Sequence, residues 1–121
     1  MEVRFWGVRG SVASSGSNVA RIGGNTSCLE IVSEGHRLIL DAGTGIRGLG
    51  EALLPHQPIK ATMLFSHLHW DHLMGFPFFA PMYIPGNRII VHGCHANLEE
   101  AFRLQMSAPC FTGLGRRPHR V

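Results

Sequence analysis

The chain contains no apolar run near the ~18–20 residues that a membrane-spanning helix requires, no C-x-x-C pair and no internal repeat. The first absence removes the membrane from the expected partners. The N-terminus, Met1-Glu2-Val3-Arg4-Phe5, enters strand-like sequence directly and offers no apolar region of the signal-peptide kind. Three cysteines, Cys28, Cys94 and Cys110, cannot all pair, which points to a reduced, cytoplasmic setting. Acidic residues are outnumbered by basic ones, giving a formal charge of +3. That excess lies at one end: without Arg116, Arg117 and Arg120 the remainder is formally neutral. A basic tail on a neutral body is a weaker polyanion signal than a basic face, so nucleic acid is only a secondary expectation as a partner.

What is present suffices for one domain. The 121 residues fit a single compact unit, and a hydrophobic share of 45% provides a core. Val3-Arg4-Phe5-Trp6 reads as a first strand ended by Gly7 and Gly10. From Gly10 to Asn25 the sequence is rich in Ser, Gly and Asn, as a long loop would be. Cys28 to Val32 and His36 to Leu40 flank the turn Ser33-Glu34-Gly35 and predict a β-hairpin. The second of these strands runs into Asp41-Ala42-Gly43-Thr44-Gly45, at a carboxyl end where α/β sheets place chemistry. Ile46, Leu49 and Leu53 recur at helical spacing up to Pro55. Ala61 to Phe65 is a buried strand, and Leu73 to Phe79 is an apolar wall whose prolines forbid a continuous helix. Arg88 to His92 is a further strand. Asn97 with Glu100 has the spacing of a capping box, and Leu98, Ala101, Phe102 and Met106 give one apolar face to a helix of about three turns. Strands alternating with helices, with a hairpin near the start, predict an α/β fold with a mixed sheet.

The densest chemistry is Ser66-His67-Leu68-His69-Trp70-Asp71-His72. Four potential metal ligands fall within six positions, directly after the strand Ala61–Phe65. Imidazole nitrogens and carboxylate oxygens suit zinc and similar borderline metals. If the backbone stays extended beyond the strand, His67, His69 and Asp71 share one side and Leu68 and Trp70 the other. His72 then turns back as a helix begins. One loop can in this way serve two neighbouring ions, with His67 and His69 on one and Asp71 and His72 on the other.

Several segments together resemble the metallo-β-lactamase fold superfamily. They are His67-x-His69-x-Asp71-His72, Phe5-Trp6-Gly7-Val8-Arg9-Gly10-Ser11, Gly23-Gly24-Asn25-Thr26-Ser27-Cys28 and Leu40-Asp41-Ala42-Gly43-Thr44-Gly45. The segments are most similar to the branch of ribonuclease Z-like and cyclic-phosphodiesterase-like hydrolases, over residues 1 to about 110. The resemblance implies the N-terminal half of a four-layer αβ/βα sandwich with a dinuclear site, usually zinc, with manganese or iron as alternatives. It implies that His67, His69, Asp71 and His72 are ligands and that Asp71 also orients the nucleophile. Asp41 would support the site by hydrogen bonding, with Asn25 and Thr26 beside it. The implied reaction is metal-assisted hydrolysis of a small-molecule or nucleotide phosphodiester; esters, thioesters and lactams remain open. Histidine at position 69 separates the motif from the iron-binding redox branch, which carries glutamate there.

The resemblance also implies a domain roughly twice as long, whose later half supplies further ligands and a second sheet. Residues 1–110 would then be an incomplete domain and 111–121 a basic tail outside the fold. His92, Cys94, His95 and His119 are the available substitutes for missing ligands. The expected partner is a second copy of the chain or a missing C-terminal half. The alternative to a hydrolase is a non-catalytic half-domain that binds metal weakly or serves as an interaction surface.

Overall fold

The computed structural model describes residues 1–111. Of the predicted tail 111–121 only Phe111 is described; the rest, with its arginines and His119, lies outside the described residues. Five strands form one mixed sheet in the order β1-β2-β3-β4-β5. These are β1 (Glu2–Gly7), β2 (Cys28–Ser33), β3 (His36–Leu40), β4 (Lys60–Phe65) and β5 (Arg88–Gly93). The first three run antiparallel, whereas β3, β4 and β5 are parallel. The predicted α/β class and mixed sheet are observed, with each strand within two residues of its sequence-based bounds. No helix among the described residues is long and apolar enough to cross a membrane.

The hairpin between β2 and β3 closes through Glu34 (φ 50°) and Gly35 (φ 79°), between the paired residues Ser33 and His36. Positive φ at both central positions is the type I′ pattern, whose twist matches that of the flanking strands. Glu34 is an unusual residue for that position, since only Gly, Asn and Asp adopt it readily. The parallel pairs need crossovers, which carry α1 (Ile46–Leu53) between β3 and β4, and α2 (Trp70–Leu73) with two 3₁₀ turns between β4 and β5. α3 (Leu98–Gln105) follows β5. It has eight residues, about two turns and shorter than its apolar spacing predicted. The Asn97 side chain makes no capping hydrogen bond, so the expected capping box does not form. Instead the buried Gln105 ties the helix down, donating from Nε2 to the Leu73 carbonyl at 2.7 Å.

The core lies on one side of the sheet. Ile39, Met63, Ala61 and Phe65 meet Ile46, Leu49 and Leu53 of α1 and Phe76, Phe79 and Phe102 from the later segments. Gly50 lies within van der Waals reach of Phe79 and Pro81, so the glycine that weakens the helix also permits its close approach. Of the apolar wall, Phe76, Pro77 and Phe79 are buried, whereas Phe78 points outward and meets the ring of Phe111. Glu30 is buried on this same face at 3% exposure, accepting from Trp6 Nε1 (3.1 Å) and Arg37 Nε (2.7 Å). A buried carboxylate is tolerated because both oxygens have a donor, one of them a cation.

The opposite face is different. Alternation along the strands places Val3 and Phe5, Leu29 and Ile31, Leu38 and Leu40, Leu64, and Ile90 on it. These are in register across the sheet: Val3 pairs with Ile31, Ile31 with Leu38, Leu38 with Thr62 and Thr62 with Ile90. Phe5 remains 67% exposed, Val3 43% and Ile90 38%. None of these residues joins the core cluster or packs against it.

Three outcomes follow from this architecture. Phe76→Ala empties a fully buried ring position and should cost about 3–5 kcal/mol in urea denaturation. Glu34→Asn should instead stabilise by up to about 1 kcal/mol in the same measurement, because Asn accepts the left-handed turn position. Cys28 is fully buried, and burial, reinforced by Glu30 and Asp41, pushes its thiol up to about 12. Alkylation of the native protein near neutral pH should therefore label Cys94 and Cys110, which are exposed, and reach Cys28 only after unfolding.

Candidate metal centre

Two neighbouring parallel strands, β3 and β4, deliver the candidate residues to the carboxyl edge of the sheet. Asp41 follows β3 directly and adopts φ 61°, a left-handed conformation that Asp tolerates better than most residues. Its backbone N–H remains on the neighbouring strand, donating to Leu64 O at 2.9 Å. The turn that follows is clamped by backbone bonds from Ala42 N to His72 O (2.8 Å), Gly43 N to Ser27 O (2.8 Å) and Gly75 N to Ala42 O (2.9 Å). A Cβ on Gly75 would overlap the Gly43 carbonyl, and one on Gly43 would overlap the Asp71 carbonyl. Both positions require glycine because backbones touch there.

The Asp41 carboxylate is 6% exposed and accepts four hydrogen bonds. Ser66 donates from its backbone N (2.8 Å) and from Oγ (2.8 and 3.0 Å to the two oxygens), and His72 Nδ1 lies 2.9 Å from Oδ2. Ser66 Oγ is also 3.0 Å from His67 Nδ1. A carboxylate can only accept, so a proton of His72 sits on Nδ1, and in the neutral ring its Nε2 lone pair, 3.4 Å from Asp71 Oδ2, is free for a metal. With the Ser66 hydroxyl donating to Asp41, His67 Nδ1 donates to that hydroxyl, and its Nε2 is likewise free. One carboxylate thus sets the tautomers of two histidines, one directly and one through a serine.

The backbone turns earlier than an extended reading allows. His69 is extended (φ −64°, ψ 148°), but α2 begins at Trp70, so Asp71 sits in a helical turn beside His72. His67, His69 and Asp71 therefore do not line up along one side of a strand. The rings still converge: His67 is 4.5 Å from His69 and 4.0 Å from His72, centroid to centroid. His72 Nε2 faces Asp71 Oδ2 at 3.4 Å. Ser11, held at φ 68°, donates its backbone N–H to that same Asp71 oxygen at 2.9 Å. This bond is the largest of the influences that hold the Asp71 carboxyl below its ordinary value; the His72 and His67 rings add to it when protonated, and desolvation opposes it.

Asn25 and Thr26 sit beneath this edge. Thr26 is fully buried, and its Oγ1 accepts from Thr44 N (2.8 Å) while its own N–H donates to Thr44 Oγ1 (2.9 Å). Asn25 Oδ1 accepts from Thr44 Oγ1 at 3.1 Å. Both residues brace the Asp41–Gly45 turn, and the Thr26 side chain is occupied in doing so. His92, Cys94 and His95 are exposed around the end of β5. Sequence reasoning gave no role to Ser66, Ser11 or Thr44. Ser66 lies inside the metal motif, where a hydroxyl next to a histidine is a detectable signal. Nothing in a Gly/Ser-rich loop singles out the Ser11 amide.

Does this donor set suit a metal? Two ligands at ~2.0–2.1 Å from one zinc in tetrahedral geometry lie roughly 3.3 Å apart. The Nε2 of His72 and Oδ2 of Asp71 meet that spacing. The number of donors is the shortfall. Among the described residues, no group of three or more His, Cys, Asp or Glu side chains is arranged to hold a metal ion. Catalytic zinc normally has three protein ligands, so the arrangement provides pairs of ligands and no closed shell. Compared with protein-family models, curated proteins and solved structures, the chain matches none.

Asp41→Ala should strip four bonds from the edge, leaving the Ser66 amide unpaired and His72 free to change tautomer. The expected loss is about 1–3 kcal/mol in chemical denaturation, with broadened His72 ring signals in NMR spectra. The pH dependence at Asp71 follows from its lowered value. Its stabilising contribution is complete above the unfolded carboxylate range and is lost only as pH falls through the lower folded value. Carbon-detected titration should show Asp71 ionised after ordinary aspartates have protonated.

Proposed function

We propose that this chain is the metal-carrying portion of a hydrolase acting on phosphodiesters, of the metallo-β-lactamase kind that its motifs resemble. On this reading its sheet is the first half of a four-layer sandwich. The observation that carries the reading is the Asp41 hub, which leaves imidazole lone pairs on His67 and His72 and sets His72 opposite Asp71 at a metal-ligand spacing. His67 and His69 would hold one ion, and Asp71 with His72 a second. A bound zinc, manganese or iron would supply Lewis acidity and lower the pKa of water at the site. The chain's own residues do the positioning: Asp41 fixes the rings, Ser66 relays that constraint to His67, and the Ser11 amide aims the Asp71 carboxylate. With only pairs of ligands among the described residues, no reaction step is assigned to them.

A second reading has one specific observation behind it. The lack of a three-ligand group favours a non-catalytic half-domain that binds metal weakly. Metal content per chain after dialysis against zinc, together with turnover of bis(p-nitrophenyl) phosphate, separates the two. The hydrolase reading expects turnover that chelation abolishes, that zinc or manganese restores, and that falls at least about 100-fold in His67→Ala and His72→Ala. Less than one tightly held ion, with no metal-dependent turnover, would leave the half-domain reading in its place.

A further inference from the structure

The loop between β1 and β2 has a charge pattern that the metal centre does not account for. From Val3 to Leu29 the chain holds no Asp or Glu, yet it carries Arg4, Arg9 and Arg21. Arg4 pairs with Glu2, which leaves Arg9 and Arg21 as the loop's own charges. Of the described lysines and arginines, only Arg9 and Arg37 are half-buried. Arg37 behaves as a partly desolvated cation should, meeting the buried Glu30 carboxylate at 2.7 Å. Arg9 has no carboxylate within ion-pair distance among the described residues. Its partner is a neutral carbonyl, Val12 O, to which Nε donates at 2.8 Å. A cation drawn partly out of water without an anion is costly, and that cost points to a ligand.

The turn that carries Arg9 is constrained from several directions. Val12 N donates to Gly10 O at 2.9 Å across Ser11 at φ 68°, as in the γ-turn of positive φ, which is rare and strained. Ser11 N is bonded to Asp71 Oδ2 at 2.9 Å, and Val8 N and Arg9 N both donate to Asn25 O. With Nε committed to Val12, the guanidinium is oriented, and its two Nη groups remain as a fork without a partner among the described residues. On the same turn the Gly10 N–H and the Ser11 hydroxyl also lack a partner among the described residues.

We propose that this turn binds a tetrahedral oxyanion, phosphate or a phosphate monoester, with Arg9 as its cationic partner. A guanidinium fork, an amide and a hydroxyl suit the tetrahedrally spread oxygens of phosphate better than the planar pair of a carboxylate. The loop itself, without Asp or Glu, offers the guanidinium no competing anion. The two contacts at its ends put the Arg9 Nε within about 13 Å of the Asp71 carboxylate. The anion therefore sits beside the candidate metal centre, yet the site is separate from it: none of His67, His69, Asp71 and His72 ion-pairs with Arg9. It needs no metal and does not depend on the proposed hydrolase reading.

Heteronuclear NMR of the full chain tests it, with metal removed by chelation so that phosphate cannot report through a bound ion. Sodium phosphate is titrated at an ionic strength held constant with sodium chloride. The expected result is a saturable, millimolar change in the Arg9 Nε–H signal and in the Gly10 and Ser11 amide signals. Arg9→Gln should weaken binding at least tenfold with unchanged circular dichroism, and Arg9→Lys, which keeps the charge without the fork, should restore part of it. Arg21→Gln, at an exposed position of the same loop, should leave the affinity unchanged. Phenyl phosphate binding more tightly than inorganic phosphate assigns the site to the phosphate of an organic ligand; equal or weaker binding assigns it to free phosphate. Signals that do not saturate, that chloride alone reproduces, or that persist in Arg9→Gln overturn the inference, as does equal weakening by Arg21→Gln.

Discussion

The candidate centre depends on one carboxylate placed where two parallel strands end. Asp41 accepts from the first residue after β4 and from a histidine six positions further on, so it joins the starts of two crossovers whose later parts pack through Ile46, Leu49, Phe76 and Phe79. The left-handed backbone at Asp41 is part of this arrangement. It turns the chain sharply off β3 while the main-chain N–H stays bonded to Leu64. Strained conformations persist where the surroundings over-determine them, and four hydrogen bonds to one side chain do so here. Rotating the carboxylate away would release both the Ser66 amide and the His72 ring. The tautomers of two imidazoles, the entry into α2 and the packing of Gly43 against the Asp71 carbonyl are therefore one coupled unit.

The loop between β1 and β2 belongs to the same unit. Its ends are held by backbone bonds from Val8 and Arg9 to Asn25 O. Thr26 and Asn25 brace the Asp41 turn from below, while Ser11 reaches Asp71 across the site. A composition of Ser, Gly and Asn suits both tasks: small residues permit close approach, and positive φ at Ser11 turns an amide towards a carboxylate. The length of the loop thus has a mechanical reason. It connects two antiparallel strands by way of the edge where the candidate ligands lie.

Much of the fold was legible because its signals are local. Short apolar runs bounded by turn residues gave all five strands, and Ser33-Glu34-Gly35 between two of them gave the hairpin. Helix α1 followed from Ile46, Leu49 and Leu53 up to Pro55. Where the signal was a single side-chain choice, it failed. Asn97 has the cap spacing without the bond, since Gln105 anchors α3 from its other end. The extended run through Asp71 failed because α2 starts at Trp70, with the His72 N–H bonded back to the His69 carbonyl. The ligand-type residues were legible as a cluster, but their orientation was not. It is set by Ser66 and by Ser11, sixty residues earlier in the chain than the carboxylate it meets, and neither contact has a sequence period.

The one-sided sheet also bears on the shortage of donors at the centre. The candidate residues all reach the carboxyl edge from loops that follow β1, β3 and β4, and α2 then carries the chain to the helix-covered side. On the apolar face, the described ligand-type side chain nearest that edge is the exposed His92 at the end of β5. An edge shared by two faces but furnished from one can present pairs of ligands facing outward, and the 3.4 Å gap between His72 and Asp71 has that form. Whatever packs on the apolar rows abuts the same edge and brings side chains to its open half. On the hydrolase reading a third ligand for either ion would have to enter at that open half.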